Sequence, residues 1–140
     1  FNLLIGERTA EQVKVAIGTA VPIKDGAVSV VKGRDLITGV PKTVELNEED
    51  VFEALSEPIS IIIDAVRSAL ENAPAELSSD LVDRGIVMAG GGSCLKRLSD
   101  LISEQTGLPI RVAEDPLLSV VMGAGKVIDE FDYFKDALME

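Results

Sequence analysis

Histidine and tryptophan are absent from this 140-residue chain, cysteine occurs once, and aromatic residues make up only 4% of it. Each absence excludes something. Without His there is no Ser-His-Asp or Cys-His catalysis, and no His and Cys cluster to hold structural zinc. The lone thiol, Cys94, cannot close an internal disulfide. Basic residues are scarce as well: 13 Lys and Arg stand against 24 Asp and Glu, a formal charge of −11. A protein that grips nucleic-acid phosphates needs a basic face, so no nucleic-acid partner is expected. No apolar run reaches the roughly 18 to 20 residues of a membrane span, and no basic region followed by an apolar stretch and a cleavage site opens the chain. A cytoplasmic location without direct membrane insertion is the expectation.

What is present reads as an ordinary globular domain, 46% apolar and 26% charged, long enough for a real core. The chain opens on Phe1 inside the apolar run Phe1-Asn2-Leu3-Leu4-Ile5 rather than on Met, which suggests a piece of something longer. Charge is unevenly spread. Residues 1–46 carry six basic and five acidic side chains, whereas residues 47–140 carry seven and nineteen, so the acidity belongs to the second part.

Apolar residues Ala10, Val13 and Ile17 recur at helical spacing and predict a helix over residues 7–17, ended by Gly18. Residues 27–34 and 43–46 read as strands between the turn signals Asp25-Gly26 and Thr38-Gly39-Val40-Pro41. Asn47 has the chemistry of an N-cap, with Glu48, Glu49 and Asp50 in the first turn, where the helix dipole favours negative charge. The apolar stripe Val51, Leu55, Ile59, Ile62, Val66 and Ala69 continues it, but Pro58 predicts a break or kink there, and hence a subdomain boundary. Pro74 ends the helix and a shorter one covers residues 76–82. A buried strand over 85–89, a glycine run, a helix over 93–106 stopped by Gly107, a strand over 110–112 and a helix over 116–128 complete the chain. Strand, helix, strand, helix implies parallel α/β packing.

The strongest local signal is Met88-Ala89-Gly90-Gly91-Gly92-Ser93, a strand running through bare backbone into a helix. Such a turn leaves N–H groups free and lets a ligand approach closely. It is neither a Walker A motif nor a G-x-G-x-x-G fingerprint. A tight turn needing positive φ explains it equally well. Glu11 and Lys14 share one helix face and could be either a surface ion pair or part of a site. Gly123 and Gly125 are expected to permit close helix packing, Cys94 to be a small buried or loop-edge residue, and Phe131 and Phe134 to dock a solvated acidic tail that ends in Asp136 and Glu140.

In this order, Asn2-Leu3-Leu4-Ile5-Gly6-Glu7-Arg8-Thr9-Ala10-Glu11, Gly33-Arg34-Asp35-Leu36-Ile37-Thr38-Gly39-Val40-Pro41-Lys42-Thr43, Asp83-Arg84-Gly85-Ile86-Val87-Met88-Ala89-Gly90-Gly91-Gly92 and Ala113-Glu114-Asp115-Pro116-Leu117 resemble the C-terminal part of the MreB family, bacterial actin homologues that shape rod cells. The resemblance implies an α/β fold, part of an actin-like ATPase lobe. Residues 1–57 would form a IIB-like helix plus small antiparallel sheet, and residues 58–140 the later half of a ribonuclease H-like IIA subdomain. It implies that Glu11, Gln12, Val13 and Lys14 flank the ribose and adenine of ATP, and that Gly90, Gly91, Gly92, Ser93 and Cys94 approach the adenosine and α-phosphate. Glu114 through Gly125 resembles the connecting helix at the hinge between lobes.

The family's Asp-bearing phosphate hairpins find no counterpart here, so Mg would be held only in the complete protein. The intact family is a slow ATPase, whereas this chain alone is expected to be inactive. Implied partners are further copies in a filament and a RodZ-like membrane adaptor on the IIA-like part, at the inner face of the cell membrane. The competing expectation is a stand-alone interaction module whose glycine turn is structural.

Overall fold

A computed structural model describes residues 1–22 and 26–138. Asp25 of the expected turn and Glu140 of the acidic tail lie outside the described residues. The first helix, α1 (Glu7–Ile17), forms as its periodicity predicts and buries Val13 and Ile17. Gly18 closes it by donating its N–H to the Lys14 carbonyl at 2.8 Å, and any Cβ at Gly18 would collide with that same oxygen.

Two residues at the start, β1 (Leu3–Leu4), pair antiparallel with the end of β2 (Val28–Asp35), which pairs in turn with β3 (Pro41–Asn47). The order β1-β2-β3 keeps the first expected strand, shifted by one residue, lengthens the second, and adds one that two residues without periodicity could not announce. The turn between β2 and β3 is organised by Asp35. Its carboxylate accepts from the backbone N–H of Ile37 at 2.8 Å and of Thr38 at 2.9 Å, and Lys42 Nζ stands 3.2 Å away. The Thr38 and Ile37 donors, aided by Lys42, lower the Asp35 pKa from its ordinary 3.8 to about 2.

Asn47 caps α2 (Glu48–Glu71) through a full capping box, its side chain accepting from Asp50 N–H while Asp50 accepts from Asn47 N–H, both at 2.9 Å. The break expected at Pro58 does not occur: α2 runs through it unbroken. A proline inside a helix costs about 3 kcal/mol, whereas each fully buried aliphatic side chain contributes about 1.5–3 kcal/mol. Val51 is buried before Pro58, and Ile59, only 5% exposed, after it. The continuous helix places both in their cores. The two clusters are Val13, Ile17, Val31 and Val51, and Ala20, Ile59, Leu98 and Ile102, with Leu55 packed against both.

Pro74 separates α2 from α3 (Ala75–Arg84). Gly85 then turns into β4 (Ile86–Met88) with φ 69° and ψ −156°, a region essentially reserved for glycine. β4 pairs parallel with β5 (Ile110–Val112), Ile86 opposite Ile110, as the alternating pattern implies. The strand is shorter than expected and not buried throughout, since Val87 is 51% exposed; Ile86 and Met88 are half-buried instead.

The helix expected over 93–106 divides. Gly91–Cys94 is a single 3-10 turn and α4 (Leu98–Thr106) begins only after an extended Leu95 and a left-handed Arg97 at φ 61°. Tertiary pairing explains the interruption, because Lys96 forms a parallel bridge with Thr19 and its carbonyl accepts from Ala20 N–H at 2.8 Å. Gly107, at φ 71°, stops α4 as expected. The last helices, α5 (Ser119–Asp129) and α6 (Phe131–Leu138), depart from expectation in their packing. Among the described residues no heavy atom lies within 4 Å of a Cβ built at Gly123 or Gly125, so no described helix packs closely against either. Phe131 is 57% exposed rather than docked, and the half-buried Phe134 instead meets Tyr133 edge to face at 5.0 Å. Among the described residues no helix is long and apolar enough to cross a membrane.

Candidate functional site

A cavity of about 430 Å³ lies where α1, the middle of α2 and the 3-10 turn meet. Three kinds of wall enclose it. Glu11 and Lys14 come from α1, Leu55, Pro58, Ile59 and Ile62 from α2, and Gly91, Gly92, Cys94 and Lys96 from the turn and its exit. Two motifs far apart in sequence thus face one space. Of the nine residues expected at a site, Glu11, Lys14, Gly91, Gly92 and Cys94 line it.

The other four lie elsewhere, for reasons of helix phase and turn geometry. Positions 11 and 14 share a helix face, while 12 and 13 rotate away from it. Gln12 accordingly lines a different cleft, against β2, and Val13 is buried in the first core. Gly90 shapes the turn at φ 82° and ψ 167°, and its N–H donates to the Pro116 carbonyl at 2.7 Å. Ser93 is 6% exposed, and its hydroxyl donates to the Gly90 carbonyl at 2.7 Å. Its polar group is spent inside the turn.

Each of the three glycines therefore has a separate explanation. Gly90 is required by its backbone conformation. Gly91 lies against Leu117, whose side chain would come within 3.3 Å of an added Cβ. Among the described residues Gly92 has no neighbour within 4 Å of such a Cβ, and it borders the cavity. The fold does not demand a bare Cα there.

Electrostatically the cavity is mixed. Lys14 Nζ sits 2.6 Å from Glu11 Oε2, an exposed i, i+3 pair of the kind worth about 0.2–1 kcal/mol, so either group can exchange its partner for a ligand at little cost. Lys96 adds a second cation, its Nζ donating to the Ala16 carbonyl at 3.0 Å. The α2 wall is aliphatic and has no polar side chain. Such a space suits a flat, partly apolar group laid on Pro58, Ile59 and Ile62, with hydroxyls toward Glu11 and a polar or anionic edge toward Lys14 and bare backbone. Among the described residues no cluster of three His, Cys, Asp or Glu is placed to hold a metal ion. Cys94 is exposed at the loop edge.

Sequence reasoning missed Lys96 and the apolar wall. Lys96 is hidden if residues 93–106 are read as one helix, because its reach to α1 depends on the interruption. Ile62 carries the helical stripe but is 42% exposed. An apolar stripe does not say which of its members face a cavity.

Comparison with known proteins bears on the site. The sequence pattern of the family described as MreB/Mbl protein matches residues 1–136. Cell shape-determining protein MreB of Escherichia coli (strain K12) is 46% identical over 132 residues, which is 94% of this chain and 38% of that protein. Cell shape-determining protein Mbl of Bacillus subtilis (strain 168) is 40% identical over 132 residues, 94% of this chain and 40% of that protein. The crystal structure of MreB5 of Spiroplasma citri bound to AMPPNP superimposes with a TM-score of 0.88 at 30% identity, covering 99% of this chain and 41% of that one. The ADP-bound structure of the same protein gives 0.87. The chain thus spans about two-fifths of the length of these relatives.

Proposed function

The chain belongs to the MreB/Mbl protein family, and from that membership we propose that it is part of a filament-forming, ATP-binding cytoskeletal protein that determines rod cell shape by organising cell-wall synthesis. Its α/β fold is that of the matching part of an actin-like ATPase. In this reading residues 1–57 are the IIB-like subdomain and residues 58–140 the later half of the IIA-like one, with α2 passing from one to the other. Copies associate head to tail, IIB against IIA, and a RodZ-like membrane adaptor docks on the IIA-like part at the inner face of the cell membrane.

One observation carries the nucleotide assignment: Glu11 and Lys14 line the same cavity as Gly91, Gly92 and Cys94. In the proposed complex Glu11 accepts hydrogen bonds from the ribose hydroxyls. The aliphatic stem of Lys14 lies along the base, opposite Pro58, Ile59 and Ile62. Gly92, bare toward the cavity, lets backbone approach the adenosine and α-phosphate. The relatives' structures carrying AMPPNP and ADP support this choice of ligand. The residues here fit adenosine better than the triphosphate, and no carboxylate cluster among the described residues stands ready for Mg. By itself the chain therefore offers half a site. Its affinity for ATP is expected to be ~1 mM or weaker, ~4 kcal/mol of binding or less, with no hydrolysis.

Titration of the 140-residue chain with ATP, followed through the Gly91 and Gly92 amide resonances, tests this. Small shifts at those amides that saturate only in the millimolar range are expected. Micromolar binding with Mg-dependent turnover refutes it. Joining the chain to the N-terminal part of an MreB relative should give tight binding that Glu11→Ala weakens. Unchanged affinity in that variant removes Glu11 from the site.

A further inference from the structure

The link between α1 and the glycine turn is made by residues the nucleotide reading does not use. Three consecutive residues, Leu95, Lys96 and Arg97, leave helical geometry between the 3-10 turn and α4. All three touch the segment at and beyond the end of α1. Leu95 comes so close to Gly18 that a Cβ there would lie 3.2 Å from its Cδ1. Lys96 pairs with Thr19, accepts from Ala20 N–H at 2.8 Å, and sends Nζ to the Ala16 carbonyl at 3.0 Å. Arg97 donates to the Val21 carbonyl at 3.3 Å. Thr19, at the centre of this staple, is 1% exposed.

Two features set this apart from ordinary packing. Arg97 holds φ 61°, a conformation that costs a non-glycine residue energy and persists only where its surroundings impose it. Ala16 belongs to the last turn of α1, where carbonyls lack intrahelical partners and the helix dipole favours a cation. Lys96 therefore supplies what that helix end wants while lining the cavity itself. Its backbone is part of the glycine-turn wall, and both its carbonyl and its ammonium are bonded to the end of α1 and the residues just beyond it.

We propose that Lys96 is a positioning residue for this cavity: by tying the last turn of α1 to the exit of the glycine turn, it fixes the separation between Glu11 and Lys14 on one wall and Gly92 and Cys94 on the other. The proposal deepens the nucleotide reading and rests on it, since the spacing so fixed is the one an adenosine would span. Arg97 acts through the same staple, and its left-handed turn aims Lys96 back toward α1. In this role Lys96 acts through the groups it places: it sets where Glu11, Lys14, Gly92 and Cys94 stand.

Cys94 is the only thiol of the chain, so the spacing can be read directly. A short amine–thiol cross-linker is applied to the folded Lys96→Arg and Lys96→Met chains, neither of which carries a competing amine beside Cys94, and the Lys14–Cys94 linked peptide is quantified by mass spectrometry. Lys96→Met is expected to lower its yield roughly fivefold, the change in closed-to-open ratio that losing one ordinary hydrogen bond brings. The fall is read against Lys96→Arg, which restores the cation and its hydrogen bond to Ala16. Val66→Ala added to Lys96→Arg, which loosens the second core without touching the cavity, leaves the yield unchanged. A yield in Lys96→Met equal to that in Lys96→Arg, or an equal fall on adding Val66→Ala, overturns the proposal, the latter showing general loosening. Millimolar ATP added to the Lys96→Arg chain forms a separate arm. If ATP neither suppresses the cross-link nor shifts the Gly91 and Gly92 amides, the nucleotide reading fails, while the variants still decide the role of Lys96.

Discussion

Gly90 and Gly92 stand two residues apart in one turn, yet alanine at the two positions should have opposite consequences. At Gly90 the backbone sits at φ 82° and ψ 167°, a region that costs a residue with a Cβ about 1–3 kcal/mol. No neighbour obstructs a methyl group there, so the penalty is conformational alone. For a domain of this size that loss should lower Tm by about 3–10 °C. At Gly92 no such penalty applies, because φ is not positive and nothing lies within 4 Å of an added Cβ. Gly92→Ala should therefore leave stability within about 0.5 kcal/mol of wild type.

Gly92 borders a cavity of about 430 Å³, and in the proposed complex a ligand packed on its bare backbone must shift to admit a methyl group. Overpacking of that kind costs about 1–3 kcal/mol, or roughly a 5- to 150-fold rise in Kd. Thermal unfolding by circular dichroism measures the first effect, and ATP titration of the chain joined to an MreB N-terminal part measures the second. Gly92→Ala with normal Tm and impaired binding is the expected result. A Tm loss matching that of Gly90→Ala, or unimpaired binding, would mean that the glycine run is only a turn.

Three further outcomes follow from the fold. The depressed Asp35 pKa, about 2 against an ordinary 3.8, contributes stability that is fully present above pH ~4 and is lost as pH falls toward 2. Urea unfolding between pH 6 and pH 2.5 should show this loss, and Asp35→Asn should flatten that part of the profile. Asn47→Ala removes one side of the capping box and should cost about 1 kcal/mol, visible as a lower urea midpoint with an unchanged slope. Ile102→Ala, at a site 2% exposed in the second core, should cost about 2–5 kcal/mol. A loss under 1 kcal/mol would mean that this core is loosely packed.

Elements whose signals are local are legible in the amino-acid sequence alone. The apolar spacing of α1, the Asn47 cap with acidic residues behind it, the hairpin around Thr38-Gly39 and the left-handed stop at Gly107 depend on residues within a turn or two of one another. The alternation of short apolar segments and amphipathic stretches also suffices for the parallel pairing of β4 with β5. Elsewhere the deciding partner is distant. β1 exists because β2 offers it an edge. Pro58 is carried inside α2 because cores on either side claim Val51 and Ile59. Residues 95–97 leave the helix because Thr19, Ala20 and Val21 pair with them.

The same division runs through the site. Glycine runs, carboxylates and lysines at given spacings, read with the family resemblance, name the candidates Glu11 to Lys14 and Gly90 to Cys94. Which candidates share a space is a tertiary matter. Helix phase turns Val13 into core and leaves Glu11 and Lys14 at the cavity. A 3-10 turn spends the Ser93 hydroxyl on Gly90 and leaves Gly92 open. Lys96 joins them only because the chain is interrupted where its own periodicity predicts continuity. Local propensity is written in neighbours along the chain, whereas a cavity is defined by walls that sequence separates and only packing brings together.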